Sequence, residues 1–291
     1  MPISTRYSRS SEHLNSIPYY ARNCGISLAI FFAALILTKA PSYFDRPIAH
    51  LVNGLAQRNA FIDLFFLDLD DSFSLSGGVI MALVWGSWFA GDAKIRARML
   101  VATLASFVAG VISRRLQYIL PTHFRPFYDP TLHFRVPLFI SRTPLNTWHS
   151  FPSDHMAVFA GLLMAVWIGK SKFRYIATAW VIIVESARIY EGAHYPSDLI
   201  GGAALASTLV WASQSQPMIA FSGRFLRFER SNPALFYTCA FFISFQLATL
   251  FMDVRNISGG FLSIAHHHGE TISAPSADNA SAMMKEPVPS S

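Results

Sequence analysis

Apolar residues are concentrated in seven runs separated by polar segments. The runs cover residues 24–38, 76–91, 99–113, 155–169, 175–187, 198–213 and 234–252. Several approach the roughly 20 residues that an α-helix needs to cross about 30 Å of hydrocarbon. The pattern predicts an all-α, polytopic membrane helix bundle with seven crossings, in which the shorter helices extend into less apolar flanks.

The segments between and around these runs differ in character. Residues 1–23 are polar, and 41–71 carry apolar residues at helical spacing, which is typical of an amphipathic helix at a membrane interface. The loop at 114–153 is rich in arginine, proline and aromatic residues, and a loop of this length predicts a functional role. The tail at 253–291 loses apolar periodicity, so we expect disorder there and no metal role for its three adjacent histidines at 266–268.

Composition supports a membrane protein. Of 291 residues, 52% are hydrophobic and only 14% are charged, whereas soluble domains carry about 25% charged residues. The net charge of +6 is clustered in alternate loops, which argues against nucleic acid as a partner. Three basic residues stand in each of these loops: Arg6, Arg9, Arg22; Lys94, Arg96, Arg98; Lys170, Lys172, Arg174; and Arg224, Arg227, Arg230. The positive-inside rule therefore predicts a cytoplasmic N-terminus.

Polar residues gather where the third to sixth runs reach the opposite, extracytoplasmic face. The first group holds Arg114, Arg115 and Arg125, and the second is the stretch FPSDH at 151–155. The third group is Arg188, His194 and Asp198. Each group alone has a structural explanation, because arginines snorkel at helix ends and Ser or Asp often caps a helix. Their convergence on one face predicts a shared site.

These residue types suit phosphoryl chemistry. Three guanidiniums can hold phosphoryl oxygens through forked hydrogen bonds, and two histidines can supply a nucleophile and an acid near neutral pH. His194 and Asp198 are four residues apart, so on one helical face the carboxylate can orient the ring. Ser153 and the first amides of the fourth helix add donors for an anion. We expect metal-independent transfer through a phosphohistidine, without a metal or another cofactor.

The three groups resemble the signature of the type 2 phosphatidic acid phosphatase superfamily, which includes vanadium haloperoxidases. That signature reads Lys, six residues, Arg-Pro; Pro-Ser-Gly-His; and Ser-Arg, five residues, His, three residues, Asp. The spacing of Arg188, His194 and Asp198 matches the third part, and Pro152–His155 match the second with Asp154 in place of Gly. The resemblance implies a six-helix membrane phosphatase core at 24–213, followed by a cytoplasmic loop and extra helix at 214–252.

The family mechanism implies roles for individual residues. His194 is the expected nucleophile, Asp198 its orienting partner, and His155 the acid and then the base. Phosphate-binding roles are expected for Arg125, Arg188 and Ser153. In the first motif Tyr118 occupies the position of the Lys, so we assign that role to Arg115, one helical turn away, with Arg114 as the substitute. The stretch FPSDH, with Asp154 in place of the usual Gly, resembles the second motif of the polyprenyl-diphosphatase branch of the family.

The resemblance therefore favours a phosphatase of a polyprenyl diphosphate, above all undecaprenyl diphosphate, in the bacterial inner membrane with its site on the periplasmic face. Alternatives are a phosphatidate or phosphatidylglycerophosphate phosphatase, a lipid phosphotransferase and a non-enzymatic transporter. The sequence does not predict the oligomeric state. Residues that flank the motifs carry weaker hypotheses. A second phosphate site or simple packing of the loop would explain His123, Tyr128, Asp129 and Arg135. Interfacial positions are expected for Trp148 and Tyr195, and a position at the rim of the site for Glu191.

Overall fold

A computed structural model describes residues 4–41, 43–139 and 149–249, and every regular element in these ranges is helical. The helices are α1 Ser4–Leu37, α2 Asp45–Asn53, α3 Ala60–Asp71, α4 Val79–Ala90, α5 Ala93–Ile119, α6 Asp154–Ile168, α7 Phe173–Tyr190, α8 Pro196–Ser213, α9 Gln216–Ser231 and α10 Pro233–Ala248. To within a few residues, the first six apolar runs, and the seventh as far as it is described, coincide with α1, α4, α5, α6, α7, α8 and α10. The predicted all-α membrane bundle is confirmed.

Only some of the helices are long and apolar enough to span a membrane by themselves. Residues 19–37 of α1 and all of α5 are long and apolar enough, and α3 together with 74–90 also qualifies as one span bent by 67°. The apolar helices α6 and α10 have only 15 and 16 residues. At 1.5 Å per residue each is shorter than the roughly 30 Å hydrocarbon layer. The count of seven crossings therefore stays a prediction.

Small residues allow the central helices to pack closely. Alanines from α5, α6 and α8 form two buried clusters, which are Ala102, Ala105, Ala165 with Val210, and Ala109, Ala157, Ala160 with Ala206. At Gly161 of α6 an added Cβ would lie 2.3 Å from the Cβ of Ser106 on α5. Such contacts are typical of membrane helices, whose association depends on close backbone approach. They fix α5, α6 and α8 relative to one another.

The predicted amphipathic segment forms two helices, α2 and α3. The side of α2 that faces the protein carries Asp45, Ala49 and Asn53, whereas Leu51 is exposed. Asp45 accepts hydrogen bonds from the backbone N–H and the hydroxyl of Ser197, at 2.9 and 2.7 Å. Because buried carboxylates need such partners, this contact ties α2 to the first turn of α8.

Helix α1 begins at Ser4, so most of the polar segment at 1–23 is helical. In the long loop, α5 continues to Ile119 and a 3₁₀ turn follows at Pro126–Tyr128. Trp148 and the C-terminal tail with its three histidines lie outside the described residues.

Candidate active site

The connection between α7 and α8 places His194. The backbone N–H groups of Ala193 and His194 both donate to the carbonyl of Arg188, at 2.9 and 3.1 Å, which reverses the chain. Gly192 has φ +75°, and an added Cβ would lie 2.7 Å from the ring of Phe134 and 3.0 Å from the backbone nitrogen of Phe127. Only glycine adopts this conformation without strain. The turn buries the His194 side chain completely.

The two ring nitrogens of His194 face groups of opposite charge. Nδ1 lies 3.5 Å from Oδ2 of Asp198, and Nε2 lies 3.3 Å from Nη1 of Arg125. A guanidinium can only donate, so Nε2 is the accepting nitrogen and the proton is on Nδ1, toward Asp198. Oδ2 of Asp198 also accepts from the N–H of Tyr195 at 2.8 Å, which holds the carboxylate in the first turn of α8.

Electrostatics keep His194 neutral. Burial is the main cause that lowers the pKa of His194 to about 4, and the positive charge of Arg125 is the second. Asp198 acts in the opposite direction. The charge of Arg188 also lowers this pKa. The ring therefore carries one proton and no charge at neutral pH, so Nε2 keeps the lone pair that a nitrogen nucleophile needs.

Arg125 lies at the centre of a positively charged cluster. Its Nη1 donates to the carbonyl of Ala193 at 2.7 Å, and its side chain forms no ion pair with a described carboxylate. Burial lowers the pKa of Arg125 to about 10, and the neighbouring Arg188 and Arg114 act in the same direction. The group remains charged at neutral pH, and its buried Nε has no hydrogen-bond partner among the described residues. Such a group is well suited to bind an anion.

The start of α6 brings in the second histidine. Ser153 is the N-cap of α6 and accepts from the N–H of Met156 at 3.2 Å, while its own N–H donates to the carbonyl of Asp198 at 3.0 Å. His155 Nδ1 lies 3.3 Å from Oδ1 of Asp154 and 3.5 Å from Nη2 of Arg188. With 21% of its side chain exposed, His155 is more accessible than the fully buried His194.

The site combines a neutral imidazole, a second imidazole and three arginines. Arg114, Arg125 and Arg188 can offset the charge of a phosphoryl group as that charge shifts in the transition state. The neutral nitrogen of His194 can attack phosphorus, and His155 can exchange a proton. This set permits phosphoryl transfer through a phosphorylated histidine.

The segment that carries these residues is similar to known proteins. Residues 98–220, which contain both histidines and all three arginines, match the profile of the PAP2 superfamily. This segment is a PAP2 superfamily domain. Undecaprenyl-diphosphatase BcrC of Bacillus subtilis (strain 168) is 23% identical over 155 residues, which cover 53% of this chain and 75% of that protein.

A solved structure also aligns with the chain. It is described as the first transmembrane PAP2 type phosphatidylglycerolphosphate phosphatase from Bacillus subtilis, with 19% identity and a TM-score of 0.39. The alignment covers 64% of this chain and 92% of that one.

The first motif of the PAP2 domain requires a correction. Arg114, which the sequence ranks as a substitute, lies in the cluster, where its Nη1 is 3.2 Å from Oδ2 of Asp154. Arg115 is exposed, and no ion pair joins it to a described carboxylate. Successive residues of an α-helix point about 100° apart, so only one of the two can face the site. The side chain of Tyr118 is half exposed.

The sequence did not predict that Asp70, which lies outside the PAP2 domain, contacts Arg188. Both of its carboxylate oxygens accept from Nη1 of Arg188 at 2.5 Å. In the sequence Asp70 stands beside Asp68 and Asp71, which suggests a solvated acidic run. Asp70 follows the buried Leu69 at the end of the apolar helix α3, and this position was the feature of the sequence that could have indicated a contact with the protein.

The flanking residues mainly fix the loop. Asp129 accepts from Arg46 at 3.1 Å and from the hydroxyl of Tyr195 at 2.9 Å, and Tyr195 is fully buried. The interfacial position predicted for Tyr195 is therefore wrong. The backbone of Arg135 exchanges two hydrogen bonds with the side chain of Asn53. These contacts favour loop packing over a second phosphate site.

His123 lies beside the catalytic candidates. Its Nε2 is 3.6 Å from Oδ1 of Asp198, and its Nδ1 is 2.9 Å from the hydroxyl of Ser150. Asp198 thus lies between two imidazoles, one at each carboxylate oxygen. His123 also packs edge-on against the ring of Tyr195, with ring centroids 4.6 Å apart. This arrangement can steady the carboxylate that orients His194.

Proposed function

We propose that this protein is an integral-membrane, metal-independent lipid phosphatase that converts a polyprenyl diphosphate, above all undecaprenyl diphosphate, to the monophosphate and inorganic phosphate. The observation that carries the proposal is the position of the neutral His194 ring, between Asp198 and the guanidinium of Arg125. The similarity to undecaprenyl-diphosphatase BcrC supports the choice of substrate.

In the first step, Nε2 of His194 attacks the terminal phosphorus, and the bond from phosphorus to the bridging oxygen breaks. The lipid monophosphate leaves with a proton from His155, while Asp198 stabilises the positive charge on the His194 ring. Arg114, Arg125 and Arg188 hold the phosphoryl oxygens, and the hydroxyl of Ser153 can donate to one of them. The long His194–Asp198 distance is compatible with this role, because catalytic hydrogen bonds often tighten only in the substrate complex.

In the second step, water attacks the phosphohistidine. His155 removes a proton from the water, the P–N bond breaks, and inorganic phosphate leaves with His194 restored. His155 can serve both steps because it is partly exposed and therefore within reach of water. We place this reaction on the extracytoplasmic face, where a lipid headgroup meets water. The basic loops at the other ends of the helices support this orientation.

The test is phosphate release from defined lipids by the purified protein in detergent, with a metal chelator present. We expect undecaprenyl diphosphate to be hydrolysed faster than phosphatidate or phosphatidylglycerophosphate. A preference for either glycerol lipid would replace the proposed substrate while preserving the chemistry. Phosphate that appears on an added acceptor instead of in solution would indicate a phosphotransferase, and no phosphate transfer at all would favour a transporter.

A further inference from the structure

We propose that Asp70 is a positioning residue that holds Arg188 so that the Nε–Nη2 edge of its guanidinium is presented to the phosphoryl group. The inference rests on the proposed function. It adds a residue from α3, outside the PAP2 domain, to the machinery that binds the substrate.

Asp70 and Arg188 form a direct and largely buried ion pair. Both carboxylate oxygens lie 2.5 Å from Nη1, and the two side chains are only 13% and 10% exposed. Arginine has a long, flexible side chain, so an unanchored guanidinium would sample several rotamers. A charge-assisted contact to one terminal nitrogen restricts these rotamers and holds the guanidinium beside Asp70.

The contact leaves one fork of the guanidinium for another anion. Nε and Nη2 point along the same edge, and a phosphoryl group can bind that edge with two parallel hydrogen bonds. Nε of Arg188 is buried without a hydrogen-bond partner among the described residues. Nη2 lies 3.5 Å from Nδ1 of His155, so this edge faces the proposed acid.

The charges around Arg188 also single out Asp70. Glu191, at the end of α7, is nearly buried. Its burial, and to a smaller extent the negative charge of Asp70, raise the pKa of Glu191 to about 10. The raised pKa favours the protonated form of Glu191, and among the described carboxylates only Asp70 forms an ion pair with Arg188. A buried guanidinium without an anionic partner is unfavourable, so Asp70 keeps Arg188 charged and in place before substrate binds.

Other contacts fix α3 against α7 independently of Asp70. The hydroxyl of Tyr190 donates to Asp63, and the rings of Tyr190 and Phe66 stack with centroids 4.2 Å apart. These contacts lie one and two helical turns before Asp70. We therefore expect α3 to stay docked when Asp70 is substituted.

The experiment compares Asp70→Asn with Asp71→Asn, which changes the exposed neighbouring carboxylate. The assay measures kcat and KM for undecaprenyl diphosphate and the melting temperature of each purified variant. We expect Asp70→Asn to lower kcat by about 10- to 100-fold, as loss of an orienting partner does elsewhere, with a smaller change in KM. Asp71→Asn should stay within about twofold of the wild type.

A double variant shows whether Asp70 acts through Arg188. In an Arg188→Gln background, adding Asp70→Asn should change kcat/KM by less than about twofold, because the residue to be positioned is already gone. A loss of the same size in both backgrounds would overturn the proposal. So would wild-type kcat in a folded Asp70→Asn protein.

Two further measurements cover the remaining outcomes. If Asp70→Asn does not fold, Asp70→Glu keeps the charge but shifts the carboxylate. It should retain the melting temperature and still lower kcat, and wild-type kcat would reject the role. If the wild type hydrolyses none of the lipids, the proposed function fails, and titration with inorganic phosphate by calorimetry tests the positioning alone. Asp70→Asn should then weaken phosphate binding by about tenfold, and unchanged affinity would reject the role.

Discussion

His194 is the residue on which the proposed chemistry depends most. Replacing it with alanine removes the attacking nitrogen, and His155→Ala removes the acid, so each should lower kcat by at least about 10³-fold. The melting temperature should change little for His155→Ala, because that side chain is partly exposed. His50→Gln alters an exposed histidine on α2 and serves as the matched control. Phosphate release by the His194→Ala protein near the wild-type rate would rule out the phosphohistidine.

The pH dependence follows from the environment of His194. Because burial lowers its pKa to about 4, the ring gains a proton only below that pH, far under the usual value for histidine. The acid limb of kcat/KM should therefore fall with an apparent pKa near 4, not 6.5. The measurement is initial rates from pH 3.5 to 8 with the protein confirmed as folded. An acid limb centred at 6.5 would show that this imidazole is not the nucleophile.

The same environment affects stability. The unfolded chain binds a proton at His194 near pH 6.5, whereas the folded protein does so only near pH 4. The contribution of this residue to stability is therefore fully present above about pH 6.5 and is lost as the pH falls toward 4. Melting temperatures of the wild type should decline across this window. In His194→Gln the decline should be smaller, and an equal decline would contradict the pKa shift.

The pair Arg114 and Arg115 tests the first motif. Arg114→Gln should reduce kcat/KM by about tenfold or more, because its guanidinium contacts Asp154 beside His155, whereas Arg115→Gln should stay within about twofold. The two variants remove the same charge from adjacent positions, so each controls for the other. The reverse order of effects would restore the assignment of the role to Arg115.

The sequence predicted this site unevenly, for physical reasons. His155, His194 and Asp198 lie in short motifs of fixed spacing near helix starts, so their roles could be predicted from the sequence. Two adjacent arginines cannot be distinguished without the rotation of α5. Asp70 lies more than a hundred residues before its partner Arg188. That contact depends on the packing of α3 against α7, which the sequence does not specify.

At the scale of helices, small residues determine where the site residues lie. An added Cβ at Gly202 of α8 would lie 2.4 Å from the carbonyl oxygen of Ser153 and 3.2 Å from the N–H nitrogen of Ala157. Gly202→Ala would therefore push α8 away from the start of α6. Such overpacking costs about 1–3 kcal/mol, so we expect a melting temperature several degrees lower and reduced activity.

Gly223→Ala is the control for this prediction. It makes the same substitution in α9, where no atom lies within 4 Å of the added Cβ. Alanine has a higher helix propensity than glycine, so this variant should be as stable as the wild type or slightly more stable. Equal melting temperatures and activities for the two variants would contradict the close contact between α6 and α8.

Helices were predictable because their apolar runs are long, and each of the six fully described runs coincides with one α-helix to within a few residues. Which side of a short helix faces the protein was less predictable. The apolar spacing of α2 predicted an amphipathic helix at the membrane interface, but it did not predict that Asp45 and Asn53 face the protein, where they find hydrogen-bond partners. A polar residue that is fully satisfied in a buried position leaves no periodic signal in the sequence.

At the scale of the whole molecule, charge asymmetry predicts orientation. The basic loops lie at the helix ends opposite the proposed site, so the N-terminus should be cytoplasmic and the site extracytoplasmic. Single cysteines at exposed Arg58 and Lys172, with Cys24 and Cys239 replaced by alanine, test this in intact cells. An impermeant maleimide should label Arg58→Cys directly and Lys172→Cys only after lysis. Labelling in the opposite order would invert the topology.

The most direct test is phosphate release from undecaprenyl diphosphate by the purified full-length protein in a metal chelator, together with detection of ³²P on His194 after rapid quenching. We predict sustained release in the chelator and an acid-labile phosphohistidine in the wild type. Neither should be detectable in the His194→Ala protein. Release that stops when metal is removed, or that continues in the His194→Ala protein, would contradict the proposed mechanism.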